Sequence, residues 1–112
     1  MARAYKILGQ RNPSANVLST LYTVPTSNSA IISSIVVANL DESATGGASF
    51  RIAANTSSAA VSNANYLAYS VNVPAKDTIT LSLGITLNAG SIVSVNANSS
   101  LLAFSAFGTE VY

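Results

Sequence analysis

Residues 77–87 alternate without a break. Ile79, Leu81, Leu83, Ile85 and Leu87 take every second position, and Thr78, Thr80, Ser82, Gly84 and Thr86 fill the positions between. A period of two puts five aliphatic side chains on one side of an extended chain and small polar groups on the other. This is a strand with one face for a core. Gly84 inside it predicts a bulge or a close backbone approach. Asn88-Ala89-Gly90-Ser91 follows and reads as a four-residue hairpin loop in which Gly90 takes positive φ. The return strand would then carry Val93, Val95 and Ala97 on one face.

Other segments repeat the pattern. Over 65–73, Leu67, Tyr69, Val71 and Val73 share one parity, and Tyr66, Ala68, Ser70 and Asn72 share the other. Pro74 closes that strand, since proline has no N–H for a ladder. Phe50, Ile52 and Ala54 predict a shorter strand with Arg51 facing out. Residues 18–24 predict another, closed by Pro25. Residues 30–38 differ, because Ile31, Ile35 and Val37 occupy one parity while Ile32, Val36 and Ala38 occupy the other. A strand apolar on both faces is buried on both. One face would meet the core, and the Ile32, Ser34 and Val36 side would meet a neighbouring subunit or a covering loop.

No stretch shows capped helical periodicity. The alanine-rich segment 53–64 is broken by Asn55, Thr56, Ser57, Ser58, Ser62 and Asn63 and reads as a loop, as does 39–47. Turn signals recur at short intervals. The chain of 112 residues therefore predicts an all-β fold. It is a single domain over 1–112, an antiparallel β-sandwich of about eight strands with no significant helix. Periodicity does not separate a jelly roll from an immunoglobulin-like order.

Composition removes most chemistry. The chain has no histidine, cysteine or tryptophan, and 8% of its residues are charged, against about 25% in ordinary soluble domains. Serine, threonine, asparagine and alanine make up about half of it. Without histidine the abundant serines lack their usual activating base. A Ser–Lys pair would have to use Lys6 or Lys76. Asp41-Glu42 is the one adjacent carboxylate pair, and neighbours on an extended chain point apart. Gly46-Gly47 precedes a strand and not a helix, so it is no phosphate loop. The reading is a non-enzyme with no catalytic residue, no cofactor, no metal and no small-molecule substrate. A net charge of +1 gives no field to draw nucleic acid, and no apolar run approaches the about 20 residues a membrane helix needs. Low charge favours association and 49% of the residues are hydrophobic, so the favoured reading is a surface largely covered by neighbours, against one solvated by serine, threonine and asparagine groups.

Both ends carry candidate contacts. Arg3, Lys6 and Arg11 place three basic residues early in the chain, as an extended arm over 1–12 that would lie on an acidic partner or as a charged edge strand. Phe104, Phe107 and Tyr112 form an aromatic end, either a packed strand or one exchanged with a neighbour. Tyr22, Tyr66 and Tyr69 could stack on a sugar, although core or interface positions are the commoner fate of such residues.

Four segments carry a family resemblance. Lys6-Ile7-Leu8-Gly9-Gln10, Thr20-Leu21-Tyr22-Thr23-Val24-Pro25, Ile35-Val36-Val37-Ala38-Asn39 and Phe104-Ser105-Ala106-Phe107-Gly108-Thr109-Glu110-Val111 resemble the strands of small virion structural proteins of tailed bacteriophages. The resemblance implies a β-sandwich subunit of a virus particle, made in the host cytoplasm. Its partners would be copies of itself, with a homotrimer favoured, and the major capsid protein or other virion proteins. A capsid decoration, or cement, protein is the expectation. A tail, adaptor or fibre component is the alternative, and a carbohydrate-binding host-adhesion module a further one.

Overall fold

The computed structural model describes residues 3–43, 47–56 and 61–112. Its strands pair from the outside of the sequence inward. They are β1 (Arg3–Arg11), β2 (Ser19–Thr23), β3 (Ser29–Asn39), β4 (Gly47–Asn55), β5 (Tyr66–Pro74), β6 (Thr78–Leu87), β7 (Ile92–Ala97) and β8 (Leu102–Val111). β1 pairs with β8, β2 with β7, β3 with β6 and β4 with β5, all antiparallel. This is one long two-stranded ribbon rolled up. Rolling adds the β3–β8 and β4–β7 contacts and leaves two four-stranded sheets, ordered β1-β8-β3-β6 and β2-β7-β4-β5. Of the two topologies left open by periodicity, this order is the jelly roll. The other regular element described is a 3-10 turn, Asn63–Asn65.

The inner faces follow the alternation. Val93, Val95 and Ala97 of β7 and Leu102, Phe104 and Ala106 of β8 are buried. Phe50 of β4 meets Phe104 edge-on across the two sheets, with ring centroids 5.8 Å apart. Each such ring contributes about 1.5–3 kcal/mol by leaving water. The inward row of β6, Ile79, Leu81, Leu83 and Ile85, is only partly covered.

Four expectations need correction. The segment 88–91 is not a hairpin loop, because β6 and β7 lie in different sheets. Gly90 does take positive φ, at 80°. Its N–H, however, donates to the carbonyl of Val24 at 3.0 Å, and the Val24 N–H donates to the Ser91 carbonyl at 2.9 Å. The loop is tied to the end of β2 and crosses between sheets.

β3 is not buried on two faces. Ser33 is an extra residue between the Ile32–Gly108 and Ser34–Phe107 pairs with β8. The bulge changes which parity faces inward, so Ile32, Ile35 and Val37 all lie in the core. Ile32 therefore leaves the set of candidate interface residues. Ser34 and Val36 stay on the outer side, half-buried, while Ile31 is exposed. Gly84 sits opposite this irregularity with φ 60°, a conformation that costs glycine little.

β5 switches faces as well. Ser70 takes φ 54° between the Val71–Phe50 and Ala68–Ile52 pairs. Val73 is buried and Val71 packs on the core, but Tyr69 and Leu67 point to solvent. In addition, β4 continues to Asn55, into the segment read as a loop. The rest of that loop at 57–60 and the 44–46 part of the 39–47 loop lie outside the described residues.

Candidate functional site

The sandwich offers two outer faces, an apolar tip and internal polar contacts, of which the Asn39 Nδ2 donation to the Val73 carbonyl at 2.9 Å is one and the Glu110 cluster another. On the outer face of the β1-β8-β3-β6 sheet, Ile31, Thr109 and Tyr5 stand in one row, and Ser34, Phe107 and Ile7 in the next. Tyr5, Ile7 and Ile31 are 76%, 53% and 42% exposed. Beyond them the face continues in small residues: Val36, Ala38, Ala103 and Ser105, with Thr78, Thr80 and Ser82 of β6. Arg3, opposite Val111 at one corner, is the charge at its margin. Gly108 lies at the centre of this sheet because a Cβ there would fall on the carbonyl oxygen of Ile31.

The expected arm is a strand. Residues 3–11 pair with β8 over nearly their full length, and Asn12 Nδ2 donates to the carbonyls of Ser100 and Leu102 at 2.8 and 2.7 Å. Arg3 and Arg11 occupy opposite ends of β1, about 27 Å apart at about 3.4 Å per residue. Lys6 is paired, its Nζ 2.6 Å from Glu110. The three basic side chains therefore form no common patch. The aromatic end separates too. Phe104 is core, Phe107 is half-buried on the outer face and Tyr112 is exposed. β8 has a partner on both sides, which is the packed alternative.

Glu110 is the charged internal contact, 5% exposed. Tyr22 Oη of β2 donates to its Oε2 at 2.5 Å, across the sandwich. The Lys6 and Tyr22 bonds hold the Glu110 carboxyl below its ordinary range, against the opposing effect of burial. Burial and then the bond to Glu110 push the Tyr22 phenol well above its ordinary value. The arrangement is a bolt between sheets, and it removes Tyr22 from any sugar platform. At the far end, Val17, Leu18, Leu40 and Leu101 are exposed. The Leu40 N–H donates to the Leu101 carbonyl at 2.8 Å, and the Asn16 N–H donates to that of Ala97 at 2.7 Å, which gathers these loops.

The outer face of the β2-β7-β4-β5 sheet has different chemistry. Arg51 of β4 stands beside Asn96 of β7 in register. Its guanidinium lies over the Tyr69 ring, 4.1 Å from the centroid, and Tyr66 meets Tyr69 edge-on at 5.0 Å. No periodic reading of the sequence could bring Arg51 to Tyr69, because the Ser70 bulge decides where Tyr69 points. The available signal was Arg51 itself, the one charge between Glu42 and Lys76.

The remaining chemical candidates are dispersed. Asp41 Oδ1 accepts the Ser43 N–H at 2.9 Å, and that bond lowers its pKa. Lys76 and Asp77 lie in the β5–β6 turn, where the Asp77 N–H donates to the Pro74 carbonyl at 3.2 Å. Among the described residues, no three histidine, cysteine or acidic side chains gather where they could hold a metal ion.

Neither a protein-family model nor a curated protein matches the chain. Two solved structures, both of a pentameric capsid protein isolated from metagenomic phage sequences, are similar over 96% of this chain at 16% identity, each with a TM-score of 0.31. The chain spans 65% of the length of one and 62% of the other. The jelly-roll order stands on the strand registers given above.

Proposed function

We propose that this chain is a non-enzymatic structural subunit of a phage particle, homo-oligomeric and favoured as a trimer. Its position would be the capsid exterior, as a decoration protein that clamps neighbouring capsomers. The observation that carries this reading is the nearly uncharged outer face of the β1-β8-β3-β6 sheet, with Tyr5, Ile7 and Ile31 exposed on it. Charge is what keeps a small protein's surface apart from its copies, and among the described residues this face has it at the Arg3 corner and at Lys6 beside Tyr5 and Ile7, whose charge Glu110 offsets. Four strands about 4.8 Å apart and about ten residues long present roughly 650 Å², comparable with the about 800 Å² per partner of a standard interface. β6 extends the face as an edge strand. It carries no charge and no proline across Thr78–Leu87, so its free ladder groups are open to a second copy. The family resemblance at both ends of the chain points the same way.

Native mass spectrometry of the purified chain tests the assembly. Trimers are expected, and Ile31→Glu should release monomers that keep the β-sheet circular dichroism signal. A wild-type chain that stays monomeric at micromolar concentration would overturn the reading. Cryo-electron microscopy of particles carrying the protein then tests the position. Density over capsomer junctions supports decoration, and density on the tail transfers the assignment to an adaptor or fibre role.

A further inference from the structure

The outer face of the β2-β7-β4-β5 sheet is not built like the assembly face. Its exposed large apolar side chains, Leu67 and Tyr69, both lie on β5. Arg51 is its one charged side chain among the described residues. Two hollows flank that guanidinium. One, of about 280 Å³, is lined by Asn16, Ser49, Arg51, Asn96 and Asn98. The other, of about 480 Å³, is lined by Asn63, Tyr66 and Tyr69. The larger falls within the about 300–1,000 Å³ of small-ligand sites.

We propose that this face binds an acidic oligosaccharide. The ring face of Tyr69 that Arg51 leaves open takes the apolar C–H face of a sugar, Tyr66, edge-on to Tyr69, walls the hollow, Arg51 takes a sugar carboxylate, and the asparagines take hydroxyls. The placement of Arg51 carries the argument. Its Cζ lies over the Tyr69 ring, which fixes the group, while no hydrogen bond among the described residues occupies its N–H donors, leaving them for a planar, bidentate carboxylate. Among the described residues no acidic side chain pairs with it, since the ion pair present joins Lys6 to Glu110. Tyr69 remains 57% exposed despite the stacking. The Asn98 side-chain oxygen accepts the Ser49 N–H at 3.0 Å, which orients its amide nitrogen as a remaining donor, and Asn96 stands next to Arg51 in the ladder. A carboxamide both donates and accepts, as a hydroxyl-rich ligand requires. A free phosphate would leave the two tyrosines unused. A protein partner is better served by the opposite sheet.

Isothermal titration of the intact protein with tetragalacturonate tests this, with maltotetraose as the neutral arm and sodium sulfate as the anion-only arm. Binding near 1 mM is expected, a typical weak-site affinity. Arg51→Gln and Tyr69→Ala should each weaken it about tenfold or more. Tyr69→Leu keeps the apolar bulk and loses the ring, so it replaces Tyr69→Ala if that variant fails to fold. Lys76→Asn removes a distant cation and should leave the binding unchanged. The proposal is overturned if tetragalacturonate gives no heat up to about tenfold above that concentration. Equal affinity for maltotetraose, sulfate binding as tight as the sugar acid, or indifference to Arg51→Gln would each overturn it as well.

Discussion

The two outer faces of this sandwich obey the same backbone rules and differ in everything else. Inward positions of both sheets are fixed by one requirement, filling the space around Phe50 and Phe104. Outward positions carry no such demand. On the β1-β8-β3-β6 sheet they are threonine, serine and alanine around Tyr5, Ile7 and Ile31. On the β2-β7-β4-β5 sheet they include Arg51, Tyr69 and Asn96, in contact or in register with one another. In a chain so poor in charge, the place where the side chains stop being interchangeable is the informative one. The first face offers uncharged area, and the second gathers Arg51, Tyr69 and Asn96, the contrast on which the two proposals rest.

Substitutions can break that contrast, beginning with backbone packing. Gly108→Val would push a side chain into the Ile31 carbonyl, and β3 backbone cannot give way as a flexible side chain can. A loss of about 3 kcal/mol or more is expected, read as a fall in thermal midpoint or as failure to fold. On the other sheet, a Cβ at Gly47 would meet Asn72 Oδ1 at an ordinary 3.4 Å. Gly47→Ala should therefore change stability by no more than about 0.5 kcal/mol. Equal effects at the two glycines would show that the first sheet is less tightly registered than its pairing implies.

The bolt between the faces comes next. Tyr22→Phe removes a hydrogen bond to a buried carboxylate and should cost about 2 kcal/mol in chemical denaturation. Its pH dependence has two limbs. Glu110 titrates low in the folded state, so its contribution is present above the ordinary carboxyl pKa of 4.5 and is lost as pH falls below it. Tyr22 titrates high, so its contribution is present below 10.0 and is lost as pH rises beyond it. Stability should be flat between these values and fall on both sides. In Tyr22→Phe the alkaline limb should shrink and the acid limb should become shallower. An unchanged alkaline limb would mean that the phenol does not hold the carboxylate in solution.

Surface substitutions should separate the faces with smaller effects on folding. Ile31→Glu should weaken self-association about thirtyfold, close to 2 kcal/mol, by light scattering, with little change in the monomer's melt. Arg51→Gln should leave association alone and cost under about 1 kcal/mol of stability, the value of an exposed cation–π contact. If the two variants exchanged phenotypes, the assignment of the faces would be reversed.

Much of this architecture is legible in the sequence, and what is not has a common cause. β6 and β7 are plain from Ile79, Leu81 and Leu83 and from Val93 and Val95, because nothing interrupts their inward rows. β3 and β5 mislead because each contains a bulge at a serine. Glycine advertises an irregular backbone and serine does not. Gly84 pointed to its own bulge, while Ser33 and Ser70 gave no sign of theirs. One unmarked residue then turned Ile32 into core and Tyr69 into surface. The Tyr22–Glu110 contact joins residues far apart in the chain and on different sheets, so no local pattern can anticipate it. Arg51 was correctly read as outward. Its partner was not, since that depended on the Ser70 bulge.

The outside-in pairing of the strands also governs how the molecule is made. β4 and β5 are the pair closest in sequence, whereas the β1–β8 register joins Arg3 to Val111 and must close nearly the whole chain. Such high contact order places folding in the millisecond-to-second range rather than the microsecond range of local folds. Closure from the bend outward keeps each loop-closure step short, and in that order β1 would dock last. Until it does, β8 has one side open and Glu110 lacks Lys6. In that order, a newly synthesised chain would pass through an interval in which β8, an inner strand of the finished sheet, is itself an edge.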